Sequence, residues 1–167
     1  MKPNAIVYTS NTGYTQQYAR LLGEKTGLPV YALSEMKARL APGTPVLYLG
    51  WIMAGKLQGY SKAAGYCRVL AACGVGMGAT GSQIPDVRKA NRLPETLPVF
   101  TLQGGFDITR LRCVYKLMMT VMAKTLGKRM AAKQDRTPEE DDMLDMLLHG
   151  GNRVSPENLT AVLEWLA

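Results

Sequence analysis

Residues 9 to 15 read Thr9-Ser10-Asn11-Thr12-Gly13-Tyr14-Thr15, which is four hydroxyl side chains, an amide, a glycine and a phenol in one short stretch. They follow the apolar run Ala5-Ile6-Val7-Tyr8 and precede an amphipathic stretch from Gln16 to Lys25. A helix beginning near Tyr14 would present unpaired backbone N–H groups and the positive end of its dipole to whatever lies at its start. Gly13 lets the chain approach closely, and Thr9, Ser10, Asn11, Thr12 and Thr15 offer uncharged hydrogen-bonding groups. Such a turn is a cup for a phosphate dianion, here with no lysine or arginine in it. A plain helix cap needs one of these residues, whereas this turn has five, so the phosphate cup is the favoured reading.

Two further stretches carry bulky or glycine-rich groups where strands should end. Trp51-Ile52-Met53, followed by Ala54-Gly55, offers an aromatic and apolar surface on which a flat ring could stack; the alternative is that Trp51 closes the sheet as core. Gly76-Met77-Gly78-Ala79-Thr80-Gly81 satisfies the letters of GxGxxG, but not at the first strand of its unit, where a dinucleotide motif belongs. A loop of small residues that lets backbone approach a ring explains the same glycines. Gly104-Gly105, after the last strand, falls near the same cleft. His149 is the single histidine and ends a helical stretch, which excludes triad chemistry and multi-histidine metal sites. Cys67, Cys73 and Cys113 have no CxxC spacing, so reduced thiols in the cytoplasm are expected.

The elements that must position these groups alternate. Strands are expected at Ala5–Thr9, Pro29–Leu33, Val46–Trp51, Val69–Gly74 and Leu97–Leu102. Helices are expected at Tyr14–Thr26, Gly55–Gly65, Ile84–Asn91, Asp107–Lys133, Pro138–His149 and Pro156–Leu166, with residues 34 to 44 ambiguous. This rhythm predicts an α/β protein: an open, doubly wound, five-stranded parallel sheet with helices on both faces, as one domain over residues 1–167.

The stretch "IVYTSNTGYTQQYARLL" resembles the phosphate-binding signature of flavodoxins, with Ile6, Val7, Tyr8, Ser10, Gly13, Thr15, Ala19 and Leu22 in the expected places. The resemblance implies a flavodoxin-like fold and bound FMN, its phosphate held by the turn from Ser10 to Thr15. It further implies that the isoalloxazine ring is met by the loops after the third and fourth strands. Those loops supply Trp51, Ile52 and Met53, then Gly76, Met77 and Gly78, with Gly104 nearby.

Charge separates this chain from the acidic shuttle flavodoxins. The net charge is +7, and residues 106 to 134 carry seven basic residues against Asp107 alone. Residues 135 to 145 then hold six of the thirteen acids. Within the long basic helix, Leu111, Tyr115, Met118, Met122 and Leu126 keep helical spacing and are expected in the core, with Val114, Leu117 and Val121 widening that stripe. Arg112, Lys116, Lys124 and Lys128 form a cationic row beside it. That row is either a solvated face or a surface for an anionic membrane or an acidic redox partner; nucleic acid fits less well, since no binding module accompanies the charge. The segment "GGFDITRLRCVYKLMMTVM" is similar to the corresponding region of flavodoxin-type, menaquinone-dependent protoporphyrinogen dehydrogenases. That resemblance implies an FMN oxidoreductase passing electrons from a large apolar, porphyrinogen-type substrate to a quinone, at the inner face of a membrane. The alternative is an FMN electron-transfer module with a protein partner and no small-molecule substrate.

Overall fold

Five apolar runs, most of them buried, build the centre of the molecule in a computed structural model that describes residues 1–111 and 113–167, apart from the side chains of Cys113 and Tyr115. In chain order the elements are β1 (Ala5–Tyr8), α1 (Tyr14–Thr26), β2 (Val30–Ala32), α2 (Met36–Arg39), β3 (Pro45–Met53), β4 (Lys56–Leu57), α3 (Tyr60–Ala64) and β5 (Arg68–Gly76). There follow α4 (Ile84–Asn91), β6 (Val99–Gln103), β7 (Gly105–Phe106), α5 (Cys113–Ala132), α6 (Pro138–His149), β8 (Gly151–Asn152), a 3-10 turn (Pro156–Leu159) and α7 (Thr160–Leu166). The main sheet has the order β2-β1-β3-β5-β6, parallel throughout, and β4 folds back antiparallel on β3. β7 and β8 pair antiparallel as a separate ribbon.

Burial on both faces explains the continuous apolar strands. Alternate residues face opposite ways. Ile6, Leu47, Leu49, Cys73 and Leu102 pack against Tyr18, Ala19 and Leu22 of α1 and against Leu159, Val162 and Leu166 at the C-terminus. Ala5, Val7, Val46, Tyr48 and Ala72 pack instead with Met36, Ala63 and Val87 from α2, α3 and α4. Fully burying a side chain such as Leu22 or Leu49 contributes about 1.5–3 kcal/mol, so the two layers clamp the sheet from either side.

Several elements differ from the sequence reading. The expected five strands become eight among the described residues, because β4, β7 and β8 are two-residue pieces too short to show a period. β3 runs on through Trp51 to Met53, where Ala54 (φ 49°) and Gly55 (φ 76°) form a two-residue hairpin to β4. Positive φ at both positions is what a hairpin of that length demands. The expected helix from Gly55 therefore shrinks to α3. The long helix starts at Cys113, not Asp107: Asp107 Oδ1 accepts from both N and Oγ1 of Thr109, a local turn that competes with helix. α6 has the expected bounds, and its signals are satisfied: Thr137 Oγ1 accepts from Glu140 N, while Glu140 Oε2 accepts from Thr137 N.

The largest correction concerns α5. Much of its expected core stripe stands in solvent: Val114 is 75% exposed, Leu117 70% and Val121 58%, and Met118 and Met122 are exposed as well, while Leu111 and Leu126 are half-buried. The helix packs mainly on α6, so only one of its sides is covered. Apolar spacing marks a face that avoids water but does not say which neighbour covers it. Arg112, first in the expected cationic row, lies outside the described residues, as do the side chains of Tyr115 and Cys113. Lys116, Lys124 and Lys128 are exposed on α5.

Candidate functional site

The carboxyl ends of β1, β3 and β5 open into one cavity of about 240 Å³. From β1 and the start of α1 come Asn11, Thr12, Tyr14 and Thr15; from β3 and its hairpin, Trp51, Ile52, Met53 and Gly55; from β5, Gly76 and Met77. Nine of the fourteen residues singled out in the sequence thus share one wall system: Asn11, Thr12, Tyr14, Thr15, Trp51, Ile52, Met53, Gly76 and Met77. Ends of open parallel sheets are where such folds bind ligands.

The turn before α1 is built for an acceptor. Gly13 caps the helix with φ 96°, and its N–H donates to Ser10 Oγ at 3.1 Å. Tyr14 and Thr15 open the helix, so their backbone N–H groups have no helical partner. Thr15 is 1% exposed and lines the cavity. Asn11 Nδ2 is buried without a hydrogen-bond partner. A buried amide donor left unpaired costs about 1–3 kcal/mol, so this one is a place where a ligand acceptor would be rewarded.

The five other residues lie around that cavity. Thr9 and Ser10 face a shallower depression with Gln16, Ser34 and Lys62. Gly13 caps α1 beside the cavity, and a Cβ there would face Arg110 Nη1 at 3.9 Å. The N–H of Gly78 donates to Gln83 Oε1 at 3.3 Å, which folds the loop after β5 back on itself. Gly104 is pressed against β5: its N–H donates to Gly76 O at 2.7 Å, and a Cβ there would stand 2.6 Å from Val75 Cγ1. Close packing accounts for that glycine.

Sequence reading missed several participants. Arg110 Nη1 lies 3.5 Å from the carbonyl oxygen of Thr12, so the cup expected to be free of basic side chains has a guanidinium at its mouth. Asp107 holds Arg110 by a 3.1 Å ion pair. Hydrogen bonds from Thr109, together with the Arg110 charge, hold the Asp107 carboxyl below the usual carboxylate range. Burial pushes the Tyr14 phenol up, and the Asp107 charge adds to that shift. The rest of the lining comes from Leu111, just before α5, and Met122, both expected in the core stripe, and from Met119 of α5 and Met143 of α6, which no spacing pointed to. Unbranched methionines adapt to an apolar ligand of irregular shape.

A second cleft, of about 630 Å³, lies behind the first and shares Tyr14, Phe106 and Asp107 with it. Thr120, Ala123 and Lys124 of α5 form its far side, and Leu147 to Asn152 its floor. Both clefts depend on α6 being held in place. Asp142 accepts from Gln103 Nε2 at 2.6 Å and from Arg153 Nε at 2.9 Å, and Arg153 Nη2 donates to Asp145 at 3.0 Å. His149 ends α6 as expected, its Nδ1 2.9 Å from Asp145. No group of histidine, cysteine and acidic side chains among the described residues is placed to hold a metal ion. No helix among them is long and apolar enough to cross a membrane.

Comparison with known proteins returned no match to this chain: no family model, no curated protein and no solved structure.

Proposed function

We propose that this chain binds FMN and acts as a redox protein on a flavodoxin-like, doubly wound scaffold. The parallel strand order, counted over the five long strands, is the 2-1-3-4-5 order of that architecture, in which FMN sits at the switch point between the first and third strands. The observation that carries the reading is the single cavity joining the α1 turn, with its unpaired Asn11 Nδ2, to Trp51, Met53 and Met77. The residues fit the group. The N–H groups of Tyr14 and Thr15, the Asn11 amide and the Thr15 hydroxyl would hold the phosphate, with Arg110 adding charge at the rim. Trp51, Ile52, Met53 and Met77 would flank the ring, and the methionine roof would keep water from it. When bound, FMN supplies the one- and two-electron chemistry, so no protein acid or base has to be assigned.

An oxidoreductase that takes electrons from an apolar substrate and passes them to a quinone, like the protoporphyrinogen dehydrogenases, is the favoured activity. The second cleft supports it, because a substrate there would share Tyr14 and Phe106 with the cofactor cavity. An electron-transfer module would have no use for that cleft. The test is the absorption spectrum of freshly purified protein, with identification of any chromophore released on denaturation. Flavin bands and released FMN are expected. A colourless protein that takes up no FMN on reconstitution would overturn the assignment.

A further inference from the structure

The side of α5 turned away from the cavity carries Val114, Leu117, Met118 and Val121, spaced i, i+3, i+4 and i+7, and all four are exposed. Four large apolar groups in a row on a solvated helix face are more than scattered exposure explains. The same stripe continues through Thr125 to Lys128, with Lys124 on one flank and Arg129 on the other. All three cations are exposed, and no acidic residue occurs from Ile108 to Gln134.

We propose that this face docks on an anionic lipid bilayer, lying along its surface with Val114, Leu117, Met118 and Val121 in the headgroup boundary and Lys124, Lys128 and Arg129 on the phosphates. The pairing of an apolar ridge with cations at its end and flanks is the pattern of a helix that lies in a membrane interface. Charge selects this occupant over a second copy of the chain. Two such faces brought together would collect the cations of both into one seam with no acid on either helix to neutralise them. The neighbouring flank of the helix, through Met119 and Met122, lines the cavity described above. Docking would therefore bring the cavity's cover onto the lipid, where an apolar electron acceptor dissolves. The docking rests on the exposed face alone and does not depend on the cofactor assigned above.

The experiment is co-sedimentation of the full chain with vesicles of phosphatidylcholine, and with vesicles of equal parts phosphatidylcholine and phosphatidylglycerol, at low and at high salt. Binding to the anionic vesicles only, weakened by salt, is expected, with each cation near the surface contributing roughly fivefold. Leu117→Ser with Val121→Ser should lower binding at least tenfold, and Lys124→Glu with Lys128→Glu should abolish it. All four positions are exposed, so circular dichroism of both variants should match the parent. Failure to bind anionic vesicles at low salt overturns the proposal. So does undiminished binding by the double serine variant, which would leave a charge effect without docking of the ridge. A concentration-dependent dimer abolished by Leu117→Ser and Val121→Ser, without vesicle binding, overturns it in favour of self-association. FMN content measured on the same samples keeps this outcome separate from that of the cofactor assignment.

Discussion

The guanidinium of Arg110 and the carbonyl of Thr12, ninety-eight residues apart in the chain, meet 3.5 Å apart at the mouth of the α1 turn. The contact is long and exposed, so its worth lies in where it puts a positive charge. Arg110→Ala should weaken FMN binding about fivefold, the scale of an exposed ion pair, and leave riboflavin binding unchanged. Titrating both ligands into both proteins at two salt concentrations decides it. Equal losses for the two ligands would mean that Arg110 does not address the phosphate.

A larger effect is expected deeper in the cup. Thr15→Val keeps shape but removes a nearly buried hydroxyl. Gly13→Val forces a side chain onto a backbone with φ 96°. Loss of a hydrogen bond to a charged group costs about 1.5–3 kcal/mol, roughly ten- to a hundredfold in affinity. Unchanged FMN affinity in both variants would remove the phosphate from this turn.

Trp51 lines the cavity from β3, whereas Trp165 of α7 packs beside Phe100, ring centroids 6.2 Å apart, at the core on the α1 side of the sheet. Emission from Trp51 should be quenched on FMN addition, and Trp51→Leu should remove most of that quenching. If the variant is quenched as strongly as the parent, the ring does not lie near Trp51.

Acid should loosen α6 first. The Glu140 carboxylate accepts from Lys133 Nζ and from Thr137 N, and these contacts hold it below the usual carboxylate range. A depressed carboxylate contributes stability above its unfolded pKa and loses that contribution as pH falls through the folded value. Helicity by far-UV circular dichroism should therefore drop below about pH 4, and Glu140→Gln should start lower and flatten that part of the curve. An identical acid profile in the variant would place the sensitivity elsewhere.

The parts legible in the sequence were those written in local chemistry. The β1–α1 unit, the Thr137-Pro138-Glu139-Glu140 start of α6 and the α/β alternation are each set by neighbouring residues, and each appears at its expected place. The lining of the candidate cavity was legible where a strand end announced itself, as at Asn11, Thr12, Tyr14 and Thr15 and at Trp51 to Met53. Met119 and Met143 were not, because they reach the cavity through the packing of α5 and α6 and not through any pattern of their own, and Arg110 meets the Thr12 carbonyl from the turn before α5. The α5 stripe misled for a related reason. Val114, Leu117 and Val121 have the spacing of a core face, and only the tertiary structure reveals that they stand exposed.

Gly104 and Val75 occupy what amounts to a single volume. A methyl group at residue 104 would meet Val75 Cγ1 at 2.6 Å, while the nearest backbone atom, Gly76 O, stands at an acceptable 3.4 Å. Gly104→Ala alone overfills the space and Val75→Ala alone hollows it, but the two together move the bulk across the interface and nearly restore it. Over evolutionary descent the pair should therefore drift as one site, with gains at one position appearing in the company of losses at the other.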